Sequence, residues 1–393
     1  MSSLAETGIE IQKLRGTAGY FRVAQTRDGV WWLLSPEDRA CFPAAFAGRR
    51  PPEREARHLR SWGFDTVVVA GEDDFEQSGV WQVRCAGLSE VGPRIRTGGA
   101  LLPDVFDPAW RTQAAERAAG RCEPYRTDRS IVAWRSDAAL SWAWNPPRGR
   151  PTLLQLCLSL EPSFAAYHAA WEFVLALHQG SFEAMATAWQ VDLKNKDGLR
   201  SWTQEEKGIQ SPAYLADHRL WSMQFARRYF TTVSAILHEA APNHLRLSPR
   251  SELAAEPDWL VDVAAMECDV RSRAFCPTND GNDPDDEGGP VWIDGFTWAH
   301  PRLTGPASDD EADDSAPTRV ERMLGQGRRA FAAMLSDAGV VAWTWADAND
   351  GEWAQRDLTP RLMREDGSVA IEHTELLTRL NKRALQERLR LHA

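Results

Sequence analysis

The side chains in this chain that could move protons stand beside short apolar runs. Asp137 follows Ile131-Val132-Ala133-Trp134, and Asp294 lies inside Pro290-Val291-Trp292-Ile293-Asp294-Gly295-Phe296. Glu267 and Asp269 stand just ahead of the run that opens at Val270, and Arg250 comes shortly after Leu245-Arg246-Leu247. His300 adds an imidazole, whose ordinary pKa suits proton transfer near neutrality. Carboxylates, an imidazole and a guanidinium at the ends of buried segments could run acid–base chemistry on a polar small molecule: proton transfer, elimination, rearrangement or hydrolysis. Trp142, Trp298 and Trp345 offer flat apolar faces with one N–H each, the surface on which a sugar ring stacks. Each candidate also has a plainer role. Asp137 could be a hydrogen-bonded anchor, a lone imidazole is more often a packed or surface residue, and most tryptophans are core.

These residues need elements to hold them. Runs without polar alternation are strands buried on both faces, as in a parallel sheet. Such runs occur at 66–70, 131–134 and 339–345; further strands are expected after the Pro36 turn and at 245–247, 270–276 and 290–296, and one more somewhere between Val80 and Leu102. Helical segments alternate with them at 53–62, 109–120, 213–239, 318–336 and 372–391. Thr318 with Glu321 makes a capping box for the fourth of these. Eight strands alternating with helices predict a (β/α)8 TIM barrel of the α/β class, whose sites lie at the C-terminal ends of the strands. Asp28-Gly29 is a hairpin signal, so residues 1–40 are expected as an N-terminal β-hairpin flap packed on the barrel. Residues 41–393 then form the single barrel, with a helical insertion after strand 4 at about 146–212.

Composition excludes several classes of function. In 393 residues, 45 Lys and Arg stand against 56 Asp and Glu, a net charge of −11 that disfavours a polyanion partner such as nucleic acid. No run of 18 apolar residues occurs, and the first residues lack a secretion signal's basic and apolar regions, so a cytoplasmic protein without membrane partners is expected. Six cysteines lack CxxC spacing, which fits reduced thiols rather than disulfides or a zinc knuckle. The acidic runs 278–289 and 308–314 lack a regular ligand spacing, so no metal and no cofactor is expected. The 18 tryptophans against 5 tyrosines are the one compositional excess.

Several short motifs resemble the β-agarase-like glycoside hydrolases. Phe21-Arg22-Val23, Asp28-Gly29, Trp31-Trp32-Leu33 and Ser35-Pro36-Glu37 match that family's entry hairpin, and Trp62-Gly63-Phe64-Asp65 matches its Trp-Gly-Phe-Asn. Asp104-Val105-Phe106-Asp107-Pro108, Pro242-Asn243-His244-Leu245 and Arg250 have counterparts as well, so the resemblance covers nearly the whole chain. It implies the same barrel, with a general acid/base after strand 4 and a nucleophile ending strand 7, the two carboxyls about 5 to 5.5 Å apart. The family writes Asp-Asn-Glu, two residues and Trp after strand 4, where this chain has Asp137-Ala138-Ala139-Leu140-Ser141-Trp142. Its strand-7 Gly-Glu-Phe aligns the nucleophile with Gly295. Both glutamates are replaced at the matched positions. Asp137 points to the same side as Ala139 in an extended chain, whereas alternation turns Asp294 from the lumen unless Gly295 makes a bulge.

The resulting expectation is a divergent barrel that has lost retaining glycosidase catalysis and binds or transforms a sugar-like small molecule. The candidate catalytic groups are Asp137, Asp294, Glu267 and His300, and the candidate binding groups are Trp142, Trp345, Arg250 and Trp298. A non-catalytic carbohydrate-binding scaffold, and a true hydrolase using Asp137 and Asp294, are the alternatives. The sequence assigns no oligomeric state.

Overall fold

The computed structural model describes residues 10–47, 53–69, 79–97, 100–140, 148–251, 258–274, 289–296, 319–346, 362 and 368–392. Strands β1 (Ile11–Arg15), β2 (Arg22–Thr26), β3 (Trp31–Leu34) and β4 (Ala40–Cys41) make an antiparallel sheet in that order. Gly29, at φ +91°, makes the turn between β2 and β3, a conformation that suits a residue without Cβ. There follow β5 (Ala44–Ala47), β6 (Thr66–Val69), β7 (Trp81–Cys85), the antiparallel pair β8 (Arg94–Thr97) and β9 (Ala100–Pro103), and β10 (Ile131–Arg135). The chain continues with β11 (Ala139–Leu140), β12 (Leu245–Leu247), β13 (Arg250–Ser251), β14 (Arg271–Ala274), β15 (Val291–Phe296) and β16 (Val340–Ala346).

Eight of these strands lie in one parallel sheet, ordered β12-β10-β7-β6-β5-β16-β15-β14. A parallel bridge between Leu247 and Val270 joins the two end strands, so the sheet is a nearly closed barrel of the TIM type. The helices are α1 (Glu53–Ser61), α2 (Pro108–Cys122), α3 (Leu153–Leu158), α4 (Ala165–Leu177), α5 (Phe182–Ala188), α6 (Lys196–Gln204), α7 (Pro212–Ala240), α8 (Asp258–Glu267), α9 (Arg319–Ser336) and α10 (Ile371–Leu391). The third barrel strand, which the sequence could not place, is β7.

Three apolar layers hold these elements. Inside the barrel, Ala45, Val83, Ala133, Leu245, Leu247, Val270, Trp292 and Ala342 pack with Phe21, Val23, Trp31 and Leu33 of the N-terminal sheet. That sheet sits at the barrel's N-terminal end: Trp31 N donates to Ala338 O, just ahead of β16, and Arg129, just ahead of β10, donates to Gly19 O and Pro36 O. Trp31 and Trp32 are each 1% exposed, so they serve packing. Outside the barrel, Ile293, Phe296, Trp343 and Trp345 pack under Phe331, Met334 and Leu335 of α9 and Leu376 and Leu377 of α10. The third layer joins α2, α3 to α7 and the β8–β9 pair.

Two polar groups, the buried Arg388 and the half-buried Asp65, tie the layers together. Arg388 of α10 is wholly buried and donates to the carbonyls of Leu335, Asp337 and Ala338, at and beyond the end of α9, and to Trp31 O in the N-terminal sheet. One guanidinium thereby satisfies carbonyls that a helix end leaves without partners. Burial draws its pKa down to about 10. Asp65 opens β6, where its Oδ1 accepts from Ala44 N and Thr66 Oγ1 while its own carbonyl accepts from Trp81 N. Burial pushes the Asp65 carboxyl up to about 7, against the pull of those hydrogen bonds.

Replacing Arg388 by Met should lower unfolding stability by roughly 3 kcal/mol, because several buried carbonyls lose their donor together; chemical denaturation measures it. Asp65 gives stability a defined pH dependence. Between about pH 4 and pH 7 the unfolded chain has released a proton that the folded chain still holds, so stability should fall as pH rises through that window and level off above it. The difference in melting temperature between Asp65→Asn and the native chain should therefore grow from pH 4 to pH 7 in favour of the variant.

Candidate active site

The mouth of the barrel is built on the last lumen-facing residues of its strands. Ala133 of β10 packs in the lumen, and alternation brings Arg135, two residues on, to the same side. Arg135 ends β10 in register with Cys85 of β7 and Leu247 of β12. Its Nη2 donates to Asp294 Oδ2 at 2.6 Å. Four strands separate β10 from β15 one way round the barrel and two the other way, so this ion pair crosses the lumen. Ser272 Oγ of β14 donates to the same carboxylate oxygen. Both charged side chains are 3% exposed, and a buried charge at such depth requires its partner.

Asp294 reaches the lumen by alternation from Trp292, and the backbone bulges just beyond it. Trp292 faces inward and gives its Nε1–H to Thr344 Oγ1 at 2.7 Å, and Asp294 is two residues further on. Phe296, which regular alternation would also turn inward, packs instead in the outer layer against Trp343 and Phe331. The pairing of β15 with β16 shifts register between Ile293 and Phe296, and Gly295 between them has φ +72°. The bulge is thus at Gly295. Cys85, opposite Arg135 in register, is buried, and burial pushes its thiol up to about 11, which keeps it protonated at neutral pH.

Asp137 has a different setting. The chain leaves β10 after Arg135, and the Asp137 carboxylate is held by Ser89 N at 2.8 Å, Ser89 Oγ at 2.7 Å and the Tyr229 hydroxyl of α7. Ser136 Oγ meets the same hydroxyl at 2.7 Å. Burial raises the Asp137 pKa, and the hydrogen bonds from Ser89 and Tyr229 oppose that rise. Three donors on two oxygens make this carboxylate a tie between β10, the turn at Leu88–Glu90 and α7. Asp137 and Asp294 are therefore held by separate networks. Just beyond, β11 pairs in parallel with β13, Ala139 against Arg250, extending strands 4 and 5 at the mouth.

Two expected site residues lie elsewhere. Glu267 ends α8 ahead of β14 and accepts from Thr231 Oγ1 of α7, at the N-terminal side of the sheet, opposite the mouth. Trp345 is wholly buried between the strands and α9, beside Phe296 and Trp343, and offers no face for stacking. His300, Trp142 and Trp298 lie outside the described residues, as do the acidic runs. Sequence reasoning missed Arg135, Ser272, Ser89 and Tyr229. Only Arg135 left a signal, as a charge closing an otherwise apolar strand. Among the described residues, no group of three or more His, Cys, Asp and Glu could hold a metal ion, and no helix is long and apolar enough to cross a membrane.

The fold is that of the (β/α)8 barrels, and solved structures similar to it include glycoside hydrolases. An exo-β-agarase superposes with a TM-score of 0.67 at 15% identity, over 96% of this chain and 66% of its own. A second agarase gives 0.66 at 16% identity over the same shares. A β-galactosidase from the psychrophilic Marinomonas ef1 gives 0.52 at 15%, over 87% of this chain and 59% of its own. This chain thus spans about two thirds of those agarases' length. No protein-family model matches the sequence, and no curated protein does.

Because Asp137 and Tyr229 join three elements, Tyr229→Phe should cost about 1–2 kcal/mol and Asp137→Ala about 2–4 kcal/mol, the latter leaving several buried donors without an acceptor. Denaturant unfolding of both variants checks the order and the size.

Proposed function

We propose that this chain is a glycoside-hydrolase-like barrel that binds or transforms a sugar-like small molecule at its C-terminal strand ends without retaining glycosidase catalysis. The observation that carries the proposal is the backbone at Gly295. The matched nucleophile position has φ +72°, a left-handed conformation that a glutamate adopts only under strain, so the missing carboxylate is built into the backbone as well as into the sequence. Ala139, at the matched acid/base position, has no proton to give.

The nearby carboxylates are poor substitutes. Asp294 is neutralised by Arg135 and hydrogen-bonded by Ser272, which lowers its nucleophilicity, and Asp137 already serves Ser89 and Tyr229. The reading of a true hydrolase that uses Asp137 and Asp294 is weakened on both counts. The reading of a non-catalytic binding scaffold gains support, because both carboxylates have structural partners. If chemistry is retained, His300 is the remaining proton carrier among the candidates, with Arg250, Trp142 and Trp298 as binding groups.

We assign the N-terminal sheet to a flap on a single barrel and the helices α3 to α6 to an insertion after strand 4. Among the described residues, five free cysteines, four of them buried, support a reducing, cytoplasmic setting.

Hydrolysis of agarose oligosaccharides and aryl β-galactosides should be negligible, since acid–base catalysis alone is worth roughly 10² to 10⁴ in rate. A reducing-sugar and chromophore-release assay checks this. Turnover of several per second, abolished by Asp294→Ala, would restore the hydrolase reading.

A further inference from the structure

Strand β1 (Ile11–Arg15) is an edge of the N-terminal sheet, whose order is β1-β2-β3-β4, and among the described residues no strand pairs with its far side. All five of its residues are exposed, with Ile11 at 44% and Leu14 at 46%. Thr26 N donates to Val30 O, so Thr26 and, two residues back, Ala24 turn their backbone groups toward β3. Ile11 and Leu14 stand opposite Thr26 and Ala24, so their own N–H and C=O groups point to the open edge. The register holds one extra residue, Gln12, between Ile11 and Lys13. That bulge puts Ile11 and Leu14 on one face of the strand, the face of the buried Ala24. An edge with open backbone groups and two exposed aliphatic side chains is a template for another strand.

We propose that β1 is a docking edge for the β1 of a second copy of this chain, the two strands running antiparallel about a two-fold axis between Gln12 and Lys13. In that register the strand is complementary to itself. Glu10 meets Arg15, Ile11 meets Leu14 and Gln12 meets Lys13, and the two-fold repeats each pair. Ile11 and Leu14, whose backbone groups face outward, are then the residues that exchange hydrogen bonds, and the aliphatic side chains of both copies gather on one face. A shift of one residue either way would set Ile11 against Lys13 or Arg15, and a parallel pairing in register would set Glu10 against its own copy. Both charged ends are open to a partner. The Glu10 carboxylate meets Arg27 in a largely exposed ion pair, which holds it only weakly. Arg15 lies over the Trp31 ring at 5.3 Å and has no carboxylate partner among the described residues. Two strands of this length cover less surface than a permanent dimer needs, so the association is weak and reversible. The edge belongs to the sheet at the N-terminal end of the barrel and stands apart from the proposed sugar site at the mouth.

Sedimentation velocity of the full chain from about 1 to 200 µM tests the inference. The native chain should pass from monomer to dimer with a midpoint on the order of 10 µM. Leu14→Lys, Glu10→Lys and Arg15→Glu should each weaken the dimer at least about tenfold, because the two-fold makes every substitution count twice. Their melts by circular dichroism should stay close to that of the native chain, since the three positions are exposed. Glu10→Lys and Arg15→Glu complement one another in the antiparallel register, so an equimolar mixture should dimerise where neither variant does alone. The double variant Glu10→Lys/Arg15→Glu should dimerise as the native chain does. A native chain that stays monomeric throughout would overturn the inference and leave the edge to another segment. A dimer that all three single variants leave unchanged would overturn it too, as would Glu10→Lys and Arg15→Glu remaining monomeric when mixed.

Discussion

A carboxylate taken out of water must find donors, and the mouth end of this barrel is arranged around two that have done so differently. Asp294 crosses the lumen to Arg135, tying strand 7 to strand 4. Asp137 turns to Ser89 and Tyr229, tying strand 4 to the turn after strand 3 and to α7. In a retaining glycosidase two carboxyls share one substrate across a short gap. Here Asp294 is paired with Arg135 instead, and Asp137 with Ser89 and Tyr229.

The bulge at Gly295 makes the cross-lumen pair possible. Without it, the period-two rule could place Trp292 and Asp294 inside only by bringing Phe296 in after them, where a third large group would crowd the mouth. The extra residue lets Phe296 swing out to Trp343 and Phe331, which completes the apolar layer under α9. One left-handed glycine thereby serves the lumen and the outer core together.

The opposite end of the barrel is closed by packing. Phe21, Val23, Trp31 and Leu33 of the N-terminal sheet fill the lumen floor, and Arg388 joins that sheet to the end of α9 and to α10. The excess of tryptophan is spent largely on such packing: Trp31, Trp32, Trp110, Trp134, Trp189, Trp221, Trp292, Trp343 and Trp345 are all within 2% of full burial. The likeness to agarases and a β-galactosidase at about 15% identity is a likeness of architecture.

The barrel was legible in the sequence because strand candidates alternate with helical segments along the chain, and because runs such as 66–69 and 131–134 are almost wholly apolar, as strands buried on both faces are. The third strand was not. Trp81-Gln82-Val83-Arg84-Cys85 is interrupted by two polar residues, and their burial is helped by Arg84 bonding Gln82 and lying 3.6 Å over the ring of Tyr125, distant in the chain. Chain order alone assigns Glu267, which precedes its strand, to the end away from the mouth. The inward turn of Asp294, the outward turn of Trp345 and the pairing of Arg135 required the tertiary structure. Which face a strand residue presents depends on bulges and on contacts across the lumen, and both arise only when strands distant in sequence close into one barrel.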